Sequence, residues 1–261
     1  MKKIFLLITL FSFYTSFAEG DITLDGIYQG KNLYIMNPFS STGVGFCVYE
    51  VNVNGKVTTD EINSSAFEVD LTLFDFKLGD KVAIIIKHKS NCAPKVLNPE
   101  VLKPKSTFKI SLINIDDNNT LNWSTTNEAG ELPFVVEQYR WNKWITVGTV
   151  QGKGTPNSNS YKMAVFPHSG NNKFRVKQID YTRKPHYSEE VLYRSNKPAV
   201  TFMPKKPITE ITFSRETMYE IYDGFGNIVK KGAGMTVDIK SLKSGDYYLQ
   251  FDNEMSEFKK K

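Results

Sequence analysis

No long stretch of this chain carries apolar residues at the 3.6-residue spacing of a buried helix face. It has instead a succession of short runs rich in β-branched and aromatic residues. Residues 33–36, 46–53, 67–71 and 82–86 form the first group, and several alternate apolar and polar with period two. Asn54-Gly55 falls between two of these runs, and that dipeptide is the strongest short hairpin signal. Leu78, Gly79 and Asp80 mark a further turn. Pro94, Pro99 and Pro104 bar residues 95–105 from a central strand, so that segment reads as a loop or edge crossing. Short strands with turns between them predict an all-β chain built on β-sandwiches.

The first residues differ in kind. Lys2 and Lys3 precede an almost unbroken apolar run over 4–14, and Ser16, Phe17 and Ala18 supply a small-x-small cleavage pattern. That order predicts a signal peptide over 1–18. The run is shorter than the roughly 20 apolar residues of a membrane span, and no transmembrane segment is expected after cleavage. An exported chain with two cysteines, Cys47 and Cys92, predicts a disulfide, with two buried thiols as the alternative. The net charge is +5 and falls to +3 once Lys2 and Lys3 leave with the leader. Basic residues are scattered except at the end of the chain, which argues against nucleic acid as a partner.

A second strand-rich block runs over 120–123, 134–139, 144–148, 161–165, 174–179 and 187–192, with a Gly/Ser/Asn/Pro loop at 152–160. Asp116, Asp117, Asn118 and Asn119 read as a turn or a domain boundary. Trp123 reads as core. The segments 121–128, 134–137, 145–150 and 174–180, then Tyr187-Ser188, resemble a fibronectin-type-III-like module of the kind found in secreted Bacteroidetes proteins.

A third block follows two prolines and their lysines at 204–207. Residues 218–222, 228–229, 236–239 and 247–251 read as strands, and 223–227 and 242–245 as turns. On physics alone this is a small antiparallel β-domain with a basic tip. Tyr222, Asp223, Gly226 and Val229, then Asp238, Leu242, Gly245 and Tyr247, then Lys259, Lys260 and Lys261, resemble the C-terminal sorting domain of type IX secretion. The resemblance implies a sorting signal carried by those residues. It also implies export through the periplasm to the cell surface or outside, and partners among the outer-membrane translocon and attachment proteins. Such a domain is either removed and replaced by a surface anchor or stays attached.

The expected organisation is therefore a leader over 1–18, an N-terminal β-sandwich with the disulfide over 19–116, and a fibronectin-III-like sandwich over 117–196. A linker over 197–207 and the sorting domain over 208–261 complete it. No catalytic constellation stands out. His88, His168 and His186 are isolated and stand in no metal-binding spacing. Gly152 and Gly154 lack the spacing of a phosphate loop and read as a flexible hairpin tip. No catalytic residue, cofactor or metal is expected. Trp141 and Trp144 are candidate ligand contacts if a turn at Asn142-Lys143 puts them at its tip, and otherwise one belongs to the core. These features predict a non-catalytic exported protein, an accessory or signalling component of the secretion system, with small sorting-domain proteins of the PorA kind as the resemblance. The alternative is a surface adhesin or glycan-binding protein.

Overall fold

The computed structural model describes residues 20–41, 44–90 and 92–261. The expected leader lies outside the described residues. Two compact units divide the chain, one ending at Lys103 and the other running Pro104–Lys261. Among the described residues, no helix is long and apolar enough to cross a membrane.

The first unit contains strands β1 (Gly20–Ile27), β2 (Leu33–Met36), β3 (Val48–Val53), β4 (Lys56–Val57), β5 (Ala66–Val69), β6 (Lys81–His88) and β7 (Lys95–Val96). They form two antiparallel sheets, ordered β1-β6-β3-β4 and β5-β2-β7. Alternation explains the core: Val82, Ile84 and Ile86 of β6 turn inward with Val48, Val51 and Val53 of β3 and Leu33 and Ile35 of β2. Asn54 and Gly55 both take positive φ and close the β3–β4 hairpin as their pairing predicts. The proline-rich segment supplies only the two-residue edge strand β7 and a 3₁₀ turn over Pro99–Leu102. Cys47 and Cys92 are bonded to each other across a sequence separation of 45 residues. Closing a loop of that length stabilises by about 4 kcal/mol in the chain-entropy account.

The second unit begins with β8 (Lys109–Ile115), β9 (Thr120–Thr126), β10 (Pro133–Arg140), β11 (Lys143–Gln151), β12 (Asn159–Ala164), β13 (Gly170–Ile179), β14 (Pro185–Tyr187) and β15 (Val191–Ser195). One sheet is ordered β12-β9-β8. The other is ordered β11-β10-β13, with β14 and β15 sharing the far side of β13. This is the antiparallel sandwich expected of a fibronectin-III-like module. Trp123, 1 % exposed, fills its centre with Phe134 and Tyr161 rings packed against it at 5.8 and 5.4 Å. The expected boundary at 116/117 is corrected. Asp116 to Asn119 form the turn of the β8–β9 hairpin, with Ile115 opposite Leu121, so 104–116 belong to this module. Asp116 accepts from the Asn118 and Thr120 amides and from Asn122, and the Thr120 amide above all holds its pKa low.

The loop after β11 is also corrected: it is packed rather than flexible. Gly154 has φ +70°, and a Cβ there would lie 2.4 Å from the Gly130 carbonyl carbon. Its amide donates to Glu128, which is buried and also accepts from Tyr161 and Thr125. Those donors replace the water that a buried carboxylate gives up.

The remaining strands are β16 (Phe202–Met203), β17 (Glu210–Tyr222), β18 (Ile228–Asp238), β19 (Gly245–Phe251) and β20 (Glu254–Lys260). They form one antiparallel sheet in which β17 pairs with β16, β18 and β19, and β20 borders β19. Phe202, Phe213, Ile221, Leu249, Phe251 and Phe258 pack in its core. Two expectations change here. The linker expected over 197–207 is shorter, because Phe202 pairs with Phe213 inside the sheet. The basic tip is a strand: Lys259 and Lys260 stand opposite Asp246 and Gly245.

Candidate functional site

The second unit has a junction where two hairpin tips meet. Trp141 and Asn142, with φ of 54° and 59°, form the two-residue turn between β10 and β11. Positive φ at both positions matches the twist of the flanking strands. Asp252 and Asn253 form the corresponding turn between β19 and β20. The Trp141 amide donates to Asn253 Oδ1 at 3.4 Å. Beside it, Lys143 Nζ lies 2.5 Å from Glu220 Oε2 and 3.0 Å from the Tyr222 hydroxyl, which itself donates to Glu220. Desolvation works against the Lys143 ammonium, but Glu220 and Tyr222 outweigh it and hold its pKa above the ordinary value. Burial, with Glu220 adding to it, raises the Tyr222 phenol.

Asp252 is the centre of the junction. It is 2 % exposed and accepts from the Ser169 amide at 3.0 Å, the Ser169 hydroxyl, the Val200 amide at 3.2 Å and Arg215 at 3.3 Å. Burial alone would raise its pKa, yet these donors, Ser169 first, hold it below the usual carboxylate value. Arg140 and His168 lie buried beside it. Burial lowers the Arg140 pKa to about 10, a shift that Asp252 opposes and Arg215 adds to. Burial also lowers His168, and Arg140 adds to that despite the contact between the ring and the Ser169 carbonyl. The Nε atoms of Arg140 and Arg215 and the indole nitrogen of Trp141 are buried without an acceptor among the described residues. A cavity of about 720 Å³ opens on one side of this cluster, and one of about 590 Å³ on another.

The two candidate tryptophans separate. The turn falls at Trp141-Asn142, one residue earlier than expected, and neither ring joins the hydrophobic core. Trp141 lies between the Arg140 and Lys143 side chains, 5.6 and 5.9 Å from its centroid, and lines the larger cavity. Trp144 packs edge-on against Tyr139, and the Arg175 guanidinium sits 4.0 Å from both its ring and that of Tyr187. Arg175 and Lys177 in turn hold the buried Glu137.

Most of the residues expected to carry the sorting signal shape turns and core. Asp223 accepts from the Phe225 and Asn227 amides and from the Asn227 side chain, which above all lowers its pKa. Gly226 has φ +83° and completes that turn. Asp238 accepts from the Lys240 amide as β18 ends, and Leu242 packs on the core. Gly245 opens β19. The Tyr247 ring stacks on Phe258 at 5.5 Å, and its hydroxyl donates to the Lys243 carbonyl. Val229 is exposed on β18, and Lys259 is exposed on β20. Lys260 is buried and Lys261 donates its amide to Pro207. Tyr222 reaches the preceding module, through Lys143. Ser169 and Asp252 had no signal in the sequence beyond their polarity, and Arg140 and Lys143 stood out only as neighbours of the two candidate tryptophans. Among the described residues, no group of three His, Cys, Asp or Glu could hold a metal ion.

Residues 203–261 match the family described as "Secretion system C-terminal sorting domain". Among curated proteins none matches the chain. Three solved structures show general likeness. Tandem repeats from the extending region of a large adhesion protein are 12 % identical, with 93 % of this chain and 73 % of that one covered and a TM-score of 0.33. Fibronectin(III)-like modules of Clostridium thermocellum CbhA are 14 % identical over 59 % of this chain and 93 % of theirs, at 0.22. The FN1-FN3 domains of chicken CNTN1 are 11 % identical over 91 % and 97 %, at 0.27. The strand pairing above, and not these likenesses, carries the fold assignment. Residues 203–261 are a C-terminal sorting domain, which addresses the chain to the type IX secretion machinery and through it to the cell surface or the extracellular space.

Proposed function

We propose that this is a non-catalytic protein that keeps its sorting domain and works as an accessory or signalling component of the type IX system. The observation that supports this reading is the junction around Asp252. A tag built only for removal needs no buried carboxylate shared with its cargo. Here Asp252 of the sorting domain takes two hydrogen bonds from Ser169 of the module. Lys143 of the module holds Glu220 and Tyr222 in the same way. Retention leaves the sorting domain in place at the surface, where it stays available to the translocon and its attachment proteins.

The test is the mass of the protein recovered from the cell surface, followed by pull-down from envelope extracts. A mass that begins at Glu19 and includes residues 203–261 is expected, with translocon or attachment proteins in the pull-down. A mature form lacking 203–261, or a pull-down free of those proteins, would overturn the proposal. A second reading, a surface adhesin or glycan-binding protein, is supported by the aromatic and amide lining of the larger junction cavity.

A further inference from the structure

The cavity of about 720 Å³ is walled by both halves of the second unit. Its volume lies within the roughly 300–1,000 Å³ typical of small-ligand sites. Tyr139, Trp141 and Tyr193 bring aromatic rings to its wall, and Asn142, Asn171 and Asn253 bring amides. The rings are only partly buried and the three amides are exposed. Asn142 and Asn171 make no side-chain hydrogen bond among the described residues, and Asn253 uses only its carbonyl oxygen, toward Trp141. An amide offers two donors and an acceptor with two lone pairs, the complement of a hydroxyl that both donates and accepts. Aromatic rings beside such amides suit a ligand with apolar C–H faces and a hydroxylated rim.

Charge narrows the class. Lys173 on the wall is paired with Glu190 at 3.2 Å. Arg194 and Glu254 also line the cavity, one charge of each sign from opposite halves. The lining therefore has little net charge to attract an anion and too many amides to suit a purely apolar guest. The backbone that carries two of these amides is tied down before any ligand arrives. The left-handed turn sets Asn142, and the Asp252 cluster holds Asn253 against the module. Fixed walls lower the ordering cost of binding.

We infer that this junction cavity is a binding site for a short, uncharged oligosaccharide, assembled jointly by the fibronectin-III-like module and the sorting domain. The inference rests on the second, glycan-binding reading above and gives it a place and a ligand class. Because Asn253 comes from the sorting domain and Asn142 from the module, neither half holds the site alone.

The mature full-length chain is titrated with maltotriose, cellotriose, mannotriose and N,N′-diacetylchitobiose, with trigalacturonate as the charged comparison. Binding is read from tryptophan fluorescence and from amide NMR shifts. At least one neutral sugar should bind and shift Trp141, Asn142, Asn171 and Asn253 together. The pair Asn142→Gly and Asn171→Ala should weaken binding by about tenfold or more with the melting temperature unchanged. Glycine at 142 keeps the positive φ, so the turn survives. Binding by none of the neutral sugars at about 10 mM would overturn both the inference and the glycan reading. Binding that ignores the two substitutions and shifts other residues would overturn the site while leaving the reading. Preference for trigalacturonate would overturn the ligand class.

Discussion

Asp252 stays ionised at 2 % exposure because every direction it faces supplies a donor. Removing it leaves the Ser169, Val200 and Arg215 donors without their common acceptor in a largely buried cluster. Asp252→Ala should therefore cost about 3 kcal/mol in chemical denaturation of the mature chain. A cost within about 0.5 kcal/mol of zero, as for an ordinary surface change, would remove Asp252 from the centre of the junction. Acid works on the same residues. His168 has a folded pKa below its ordinary value, so the unfolded chain takes up the proton first as the pH falls below about 6.5. The stability linked to the neutral ring is present above that pH and is lost as the pH drops toward the folded value. Asp252 also has a lowered pKa, so its contribution has the same sign and goes at lower pH, below about 3.9. Hydrogen exchange at residues 166–172 and 250–254 should speed up, relative to the core of β13, between about pH 7 and pH 5.5. His168→Gln should flatten that first step and leave the acid step intact.

Elements were legible in the sequence where the signal was local. Asn54-Gly55 closes the β3–β4 hairpin because the dipeptide itself prefers the required backbone. Trp123 was readable as core because an inward-facing indole on a strand has nowhere else to go. The β8–β9 turn misled because Asp116 to Asn119 are polar for one physical reason, hydrogen bonding to their own backbone, whether they end a domain or a strand. Only the pairing of Ile115 with Leu121 separates the two. The 152–154 loop misled in the opposite sense: its glycines are there for close approach rather than freedom. Gly154→Ala must push a Cβ into the Gly130 backbone at positive φ, so it should lower stability by about 2–3 kcal/mol in a thermal melt. A melting temperature equal to that of the unmutated chain would show that the loop has room to give. The junction was invisible at this scale because the bonds described between module and sorting domain join residues 77 to 112 positions apart, and no period or motif spans that distance.

At the scale of the whole molecule, the sorting domain is continuous with the module before it rather than appended by a loose tether. Residues 197–199 are exposed and lie between β15 and the buried Val200. A protease site engineered there should cut cleanly at neutral pH, and the two fragments should still elute as one species from a sizing column. Fragments that separate at once would mean the junction is too weak to hold the domain without the covalent link. The long separations at the junction also set an order of events. Contacts between neighbours close quickly, whereas those between distant segments wait for the chain search to finish. Each hairpin is thus expected to close before the Lys143–Glu220 and Ser169–Asp252 bonds, which join residues 77 and 83 positions apart. A chain whose β10–β11 hairpin has not closed leaves Glu220 without the Lys143 ammonium, so that carboxylate is fully paired only in a molecule folded on both sides of the junction.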